Sequence, residues 1–147
     1  MYIRKCSPFY RIIAIVLVIS LFVSMSISAE AAQTRASYYL TSYNAYVYLP
    51  GDGEVRVYFN VEGTNYMDEL GALSIEIYES TNGTSWTWKK TFTHDTTAGM
   101  LSYIDDYHSG YVSYDGIAGR YYKAYVCIWG GKGGQGDTRY FWTSAKH

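Results

Sequence analysis

The side chains of this chain that could carry out catalysis are histidines, serines, carboxylates and one cysteine outside the N-terminal segment. His94 or His108 could act as the base of a serine hydrolase, but the G-x-S-x-G turn that presents such a serine is absent. Cys127 with His108 could instead form the nucleophile and base of a cysteine hydrolase, although a thiol within a strand is more often inert. The same histidines with Asp95 lack the H-x-x-x-H spacing of a zinc site. These patterns predict a protein that is not an enzyme and holds no zinc.

Two pairs of adjacent carboxylates, Asp68-Glu69 and Asp105-Asp106, are the next candidates. A glycosidase needs two carboxyl groups that face one another, whereas neighbouring residues of a strand point to opposite faces. Acids from different loops could instead surround calcium, which takes oxygen ligands, but no D-x-D-x-D spacing supports this. We therefore expect solvated loop acids and no metal or other cofactor, with a calcium site as the alternative.

A glycine-rich segment at 130–136 resembles a phosphate-binding loop only in composition. A phosphate-binding loop ends in Gly-Lys-Ser/Thr and continues into a helix, whereas this segment leads into the strand-like residues 138–142. The sequence therefore predicts a flexible hairpin connection, which can also serve as a binding loop.

Segment 120–129 alternates between two sets of residues, as a central antiparallel strand does. The set predicted to face the core consists of Tyr122, Ala124, Val126 and Ile128. The set predicted to face outward consists of Tyr121, Lys123, Tyr125, Cys127 and Trp129. The choice follows from Lys123, because its charge is costly to bury without a partner.

An aromatic platform is predicted on the outward side of this strand. Tyr121, Tyr125 and Trp129, together with Trp86, would form a flat apolar surface with polar tips. Such a surface can stack on sugar rings or pack against a surface protein. The alternative is that cross-strand aromatic pairs only stiffen the sheet. The binding interpretation predicts a non-enzymatic domain whose first candidate ligand is an extracellular glycan or cell-wall polymer.

A secretory signal peptide is predicted at residues 1–31. Basic residues precede an apolar run at 12–23, and an A-x-A cleavage motif ends at Ala31. The run is shorter than the ~20 residues that a spanning helix needs. Cleavage near Ala31 would release a secreted chain with a short polar leader at 32–37 and a β-sandwich domain at 38–147, no longer attached to the membrane.

The predicted mature chain is mildly acidic and contains one cysteine. Removing residues 1–31 takes away three of the 12 basic residues but only one of the 13 acidic residues. Dispersed charge without a basic stripe argues against nucleic acid as a partner. Cys6 lies in the signal peptide, so Cys127 has no internal disulfide partner, a pattern that suits a bacterial secreted protein.

Seven strand-like stretches predict an all-β domain. They are 38–49, 54–62, 73–78, 85–92, 111–114, 120–129 and 138–144. In 54–62, valine and phenylalanine alternate with polar residues, which indicates a sheet solvated on one face and paired antiparallel. We predict a single antiparallel β-sandwich of about seven strands.

The connections between these stretches are predicted as turns and loops. They are a hairpin at Asn82-Gly83, a loop at 63–71, a loop with one irregular strand at 93–110 and a turn at 115–119. In 85–92, Trp86, Trp88 and Lys90 share a parity, which predicts that at least one tryptophan anchors the core.

Three resemblances add to this interpretation. The pattern at 119–126, Gly-x-Tyr-Tyr-x-Ala-x-Val, resembles the tyrosine-corner strand of immunoglobulin-like and fibronectin type III-like sandwiches, with Lys123 or Ala124 where antibody domains place a cysteine. The pattern at 80–86, Ser-x-Asn-Gly-x-x-Trp, is similar to a hairpin of discoidin-type and other extracellular carbohydrate-binding sandwiches, with Asn82 in place of aspartate. Segment 107–142 is loosely similar to lactococcin-like bacteriocins in its spacing of His, Gly, Ala and aromatic residues.

As a whole, the predicted mature chain resembles an uncharacterised family of small, secreted, tyrosine-rich β-sandwich proteins of Gram-positive bacteria. That resemblance implies export and a sandwich fold, and it supplies no activity. The bacteriocin likeness implies an alternative function, a secreted effector that acts on competing cells.

Overall fold

The computed structural model describes residues 37–147, which belong to one compact unit. The predicted signal peptide at 1–31 and all but Ser37 of the predicted leader lie outside the described residues. No helix that could cross a bilayer occurs within 37–147.

The described residues fold into eight β-strands. They are β1 (Leu40–Gly51), β2 (Glu54–Met67), β3 (Glu69–Ser80), β4 (Thr87–Thr93), β5 (Leu101–Ser102), β6 (Asp105–Asp115), β7 (Tyr121–Lys132) and β8 (Gln135–Trp142). A smaller sheet has the order β1-β2-β6, and a larger sheet has the order β4-β3-β7-β8 with β5 also paired to β3. Every pairing is antiparallel. The predicted all-β antiparallel sandwich is confirmed.

The two sheets pack face to face through the apolar side of their strands. The four apolar residues within 54–62 are buried, whereas the residues between them are partly exposed. In β7 the predicted inward set is buried, from Tyr122 at 1% exposure to Ile128 at 0%. Because residues of both sheets form one core cluster, the outer faces of the two sheets point in opposite directions.

Tyr122 forms the hydrogen bonds that its resemblance to a tyrosine corner implies. Its hydroxyl oxygen accepts a hydrogen bond from the backbone N–H of Ile117 at 2.7 Å and donates to Glu79 Oε2 at 2.8 Å. A bond from the phenol to the backbone a few residues upstream is the tyrosine-corner arrangement. Burial, together with the bond to Glu79, raises the pKa of Tyr122 to about 12.

Residues 63–71 are mostly strand rather than the predicted loop. β2 continues to Met67, and β3 begins at Glu69. Met67 and Leu70 are 2% and 0% exposed, so the inner apolar row continues beyond the exposed residues 64–66. The loop prediction was wrong because the three consecutive exposed residues interrupt the alternation of buried and exposed positions.

Residues 93–110 also contain more strand than predicted. β6 begins at Asp105 and pairs with β2 over most of its length. His108, Gly110 and Val112 occupy positions opposite inward residues of β2. A histidine and a glycine at inward positions interrupt the apolar alternation by which a strand is recognised in sequence. The strand is therefore evident only from its backbone pairing with β2.

The glycine-rich segment is a two-residue turn within one continuous hairpin. β7 continues to Lys132 and β8 begins at Gln135, which leaves Gly133 and Gly134 as the turn, with φ of 62° and 77°. Positive φ at both positions is typical of a type I′ hairpin, which glycine adopts without strain. The predicted hairpin connection is therefore present, but its turn consists of two residues rather than the whole of 130–136.

The Trp-x-Trp pair at 86–88 does not reach the core, contrary to the prediction. Trp88 pairs with Tyr78 on the outer face, whereas Lys90 pairs with an inward residue of β3. A bulge between these two pairs adds one residue, so the side chains on either side of it project from opposite faces. The aromatic residue that β4 buries is Phe92, which is 8% exposed.

Candidate functional site

The outer face of the larger sheet carries aromatic side chains around one lysine. We call this surface the tryptophan face, and its residues are Tyr78, Trp86, Trp88, Lys123, Tyr125, Tyr140 and Trp142. The strand register brings them together, because Tyr125 is paired with Trp142 and Lys123 with Tyr78. Residues paired across antiparallel strands project from the same face. Strands β3, β4, β7 and β8 therefore all contribute to this surface.

Lys123 lies at the centre of the tryptophan face. Its Nζ is 4.2 Å from the ring centroid of Trp142 and 4.5 Å from that of Trp86. A cation within about 6 Å of an aromatic ring face is attracted by the ring quadrupole. Among residues 37–147, Lys123 forms no ion pair with a carboxylate. One ammonium group therefore holds two tryptophan rings without a direct ion pair in this part of the chain.

Trp142 contacts two of the three tyrosine rings of the face. Its ring centroid is 4.9 Å from that of Tyr125 and 5.0 Å from that of Tyr78. Tyr125 also stacks on Tyr140, with centroids 6.0 Å apart. Trp142 is 48% exposed and Tyr140 is 61% exposed. These four rings thus form one contiguous group that is open to solvent.

Hydrogen bonds orient the polar tips of two rings of the face. The hydroxyl of Tyr78 donates to Glu76 Oε2 at 2.9 Å, and this bond raises the pKa of Tyr78. The indole N–H of Trp88 donates to Thr91 Oγ1 at 3.1 Å. The face therefore combines fixed rings with neighbouring oxygen acceptors, which suits a ligand rich in hydroxyl groups.

The structure separates the four residues predicted as a platform. Trp86 and Tyr125 belong to the tryptophan face and are linked through Lys123 and Trp142. Tyr121 stacks on His147 instead, with ring centroids 4.1 Å apart.

The fourth predicted residue, Trp129, lines a cleft of about 380 Å³ at one end of the sandwich. Its indole N–H donates to Glu69 Oε2 at 3.1 Å. Its ring lies so close to Gly131 and Gly136 that a side chain at either position would collide with it. Asp68 accepts a hydrogen bond from the backbone N–H of the hairpin turn at 2.7 Å. The adjacent carboxylates at 68 and 69 thus hold the hairpin and the tryptophan.

The residues considered for catalysis or metal binding have structural partners. His108 Nε2 lies 2.9 Å from the carbonyl oxygen of Gly99, and His94 Nδ1 lies 3.6 Å from Asp95 Oδ1. Cys127 is 4% exposed, and burial raises the pKa of its thiol. Within the described range, no group of three or more His, Cys, Asp and Glu side chains could hold a metal ion. The contact of His108 joins β6 to the segment that precedes β5.

The sequence alone did not identify Tyr78, Tyr140 and Trp142 as members of the site. Each lies at an outward position of a strand-like stretch, so the alternation alone could have shown that it faces solvent. Their proximity depends on which strands are neighbours and in which register, and local sequence does not contain that information.

Comparison with known proteins gives little further information. No protein-family model matches the chain, and no curated protein matches it. A solved structure of a protein from Archaeoglobus fulgidus is similar, with a TM-score of 0.34 and 8% sequence identity, over 73% of this chain and 94% of that protein. A likeness of this size says nothing about function.

Proposed function

We propose that this protein is a secreted, non-enzymatic domain that binds a glycan or cell-wall polymer on its tryptophan face. The observation that carries the proposal is the position of Trp142, which is half-exposed and contacts two tyrosine rings and the ammonium of Lys123. An exposed, contiguous aromatic surface on a small domain marks a binding site more often than a structural need.

The chemistry of the face suits a saccharide. Tryptophan and tyrosine rings offer apolar surfaces against the C–H groups of a sugar ring, while their polar tips remain hydrated. Lys123 supplies N–H donors, and Glu76 supplies a carboxylate acceptor beside Tyr78. Sugar hydroxyl groups both donate and accept hydrogen bonds, so both kinds of partner are needed.

Export is the second part of the proposal, and the predicted signal peptide supports it. When the full chain is expressed in a Gram-positive host, we expect the protein in the medium to begin near residue 32. Intact mass of the secreted protein measures this directly. Retention of residues 1–31 on protein in the medium would contradict cleavage.

Binding is tested by pull-down of the purified protein on a panel of insoluble polysaccharides and purified cell walls. Trp142→Ala and Tyr125→Ala should each reduce the bound fraction on at least one polymer. Tyr66→Ala is the matched control, because Tyr66 is 60% exposed and lies outside the tryptophan face. Unchanged binding by both folded variants would refute the role of the face.

A further inference from the structure

The outer face of the smaller sheet carries a second group of aromatic residues, on the side of the molecule opposite the tryptophan face. A groove of about 440 Å³ lies there, and we call it the tyrosine groove. It is lined by Tyr46, Tyr58, Phe59, Asn60, Tyr107, Ser109, Gly110 and Tyr111. The lining contains no acidic or basic side chain.

Three of the tyrosines form a row that crosses all three strands of the smaller sheet. Tyr46 pairs with Tyr58, and Tyr58 pairs with Tyr111. The rings of Tyr46 and Tyr58 are stacked, with centroids 5.3 Å apart and an interplanar angle of 11°. The rings of Tyr58 and Tyr111 follow at 5.1 Å and 32°. Tyr46 and Tyr111 are 47% and 54% exposed, so the row is open at both ends, while Tyr58 between them is half-buried.

A charged residue beside the row, Arg56, is paired with a carboxylate of the same sheet. Arg56 lies 5.6 Å from the ring centroid of Tyr111. Its guanidinium donates twice to Glu54, at 2.7 and 3.1 Å, and Ser113 donates to the same carboxylate at 2.7 Å. No charged side chain lines the groove, so it complements an uncharged occupant, whereas the tryptophan face carries Lys123 and Glu76.

The polar residues of the groove favour a saccharide over a protein partner. Asn60 and Ser109 are paired across β2 and β6, beside the tyrosine row. Amide and hydroxyl groups both donate and accept hydrogen bonds, as sugar hydroxyl groups require. A protein interface typically has an apolar core and buries about 800 Å² on each partner, whereas this groove of about 440 Å³ combines tyrosine hydroxyl groups with an amide and a serine hydroxyl.

We infer that the tyrosine groove is a second saccharide site, specific for a neutral glycan. This inference rests on the proposed function, because it extends glycan binding to the opposite face of the sandwich. One molecule with a site on each outer face can hold two polymer chains at once and connect them.

The test uses native affinity electrophoresis of the purified protein in gels that contain hydroxyethylcellulose, dextran or soluble starch as neutral polymers. Carboxymethylcellulose serves as the charged counterpart of hydroxyethylcellulose. The Tyr46→Ala/Tyr111→Ala variant should lose about tenfold or more in apparent affinity for at least one neutral polymer, since it removes two stacking rings. The same variant should keep its affinity for any polymer that the tryptophan face binds.

The outcomes separate the two proposals. We call Tyr46→Ala/Tyr111→Ala the groove variant. If a neutral polymer retards Trp142→Ala but no longer retards the groove variant, the second site is supported, even where the proposed function fails. Loss in Trp142→Ala alone, with the groove variant unchanged on every neutral polymer, overturns the inference and leaves the proposed function intact. Failure of the wild-type protein to be retarded by any of the neutral polymers also overturns the inference.

A second measurement requires no substitution. Tetranitromethane nitrates exposed tyrosines, and a neutral polymer that occupies the groove should protect Tyr46 and Tyr111 in peptide mass maps. Tyr66 should be nitrated equally with and without polymer. If adding a neutral polymer that retards the protein leaves the nitration of Tyr46 and Tyr111 unchanged, as it should for Tyr66, the inference is overturned.

Connection of two polymer chains has its own readout. Wild-type protein should raise the viscosity of a solution of a neutral polymer that binds to both faces. The Trp142→Ala variant and the Tyr46→Ala/Tyr111→Ala variant, each with one face impaired, should not. An equal rise with the groove variant would show that bridging does not use the groove, and it would contradict this part of the inference.

Discussion

The ammonium nitrogen of Lys123 lies 4.2 Å from the ring centroid of Trp142, on the outer face of the larger sheet. The same nitrogen is 4.5 Å from the centroid of Trp86, which precedes β4. Lys123 therefore ties three separate parts of the sheet together: β7, the C-terminal end of β8 and the approach to β4. A cation on two rings is both a structural contact and a feature that a ligand can use.

Lys123→Met, which keeps the length of the side chain and removes its charge, should lower the free energy of unfolding by about 1 kcal/mol. In a double-mutant cycle with Trp142→Leu, the two effects should not be additive, because both substitutions remove one interaction. Urea unfolding of the four proteins measures the coupling. Lys132→Met is the control, since Lys132 is exposed at the end of the hairpin. Additive effects would show that Lys123 and Trp142 do not interact.

Tyr122→Phe should destabilise the fold by about 1–3 kcal/mol. The substitution leaves the backbone N–H of Ile117 and the carboxylate of Glu79 without their phenol partner, and Glu79 is only 9% exposed. Urea unfolding monitored by circular dichroism measures the change. Tyr66→Phe, at an exposed position, should leave stability unaltered. Equal stability of Tyr122→Phe and the wild type would refute a stabilising tyrosine corner.

Cys127 should react with a thiol reagent only after the protein unfolds. The residue is 4% exposed, and burial raises the pKa of its thiol, so the reactive thiolate is both inaccessible and scarce. Labelling with Ellman's reagent in native buffer and in denaturant compares the two states. Rapid native labelling would show that the centre of the β7 outer row is open.

Asp137 should contribute to stability at neutral pH and lose that contribution in acid. Its carboxylate accepts hydrogen bonds from Ser37 and from the backbone N–H of Tyr38 at 3.0 Å, and these bonds, that of Ser37 foremost, lower its pKa below the ordinary 3.8. A lowered pKa means that the folded state favours the charged form. The stabilisation is therefore complete above pH 3.8 and disappears as the pH falls through the lowered pKa.

Thermal unfolding of the wild type and Asp137→Asn over a pH series measures this effect. The variant should melt at a lower temperature at neutral pH, and the difference should close in strong acid. A difference that persists unchanged in acid would mean that charge on Asp137 is not its source.

The core was predictable from sequence because its side chains repeat at the strand period. In 54–62 and 120–129, apolar residues occupy every second position, and a one-residue slip would expose all of them. That pattern predicted the inward residues of β2 and β7 and the sandwich. It failed where small or polar residues occupy inward positions, as at His108 and Gly110 in β6.

The two aromatic surfaces were less predictable, because they depend on pairing between distant strands. Trp142 lies beside Tyr125 only through the register of β7 and β8. The row from Tyr46 through Tyr58 to Tyr111 requires two registers at once. Alternation shows which residues face solvent, but the neighbours of a residue on that face become known only with the structure.

The affinity of Trp142→Ala for the polymer that the wild-type protein binds best tests the central claim most directly. A calorimetric titration of both proteins, with Tyr66→Ala alongside, gives the ratio of dissociation constants. We predict a loss of about tenfold or more for Trp142→Ala, because it removes the ring that contacts Lys123, Tyr78 and Tyr125. A dissociation constant equal to that of the wild type, in a variant that remains folded, would contradict the account.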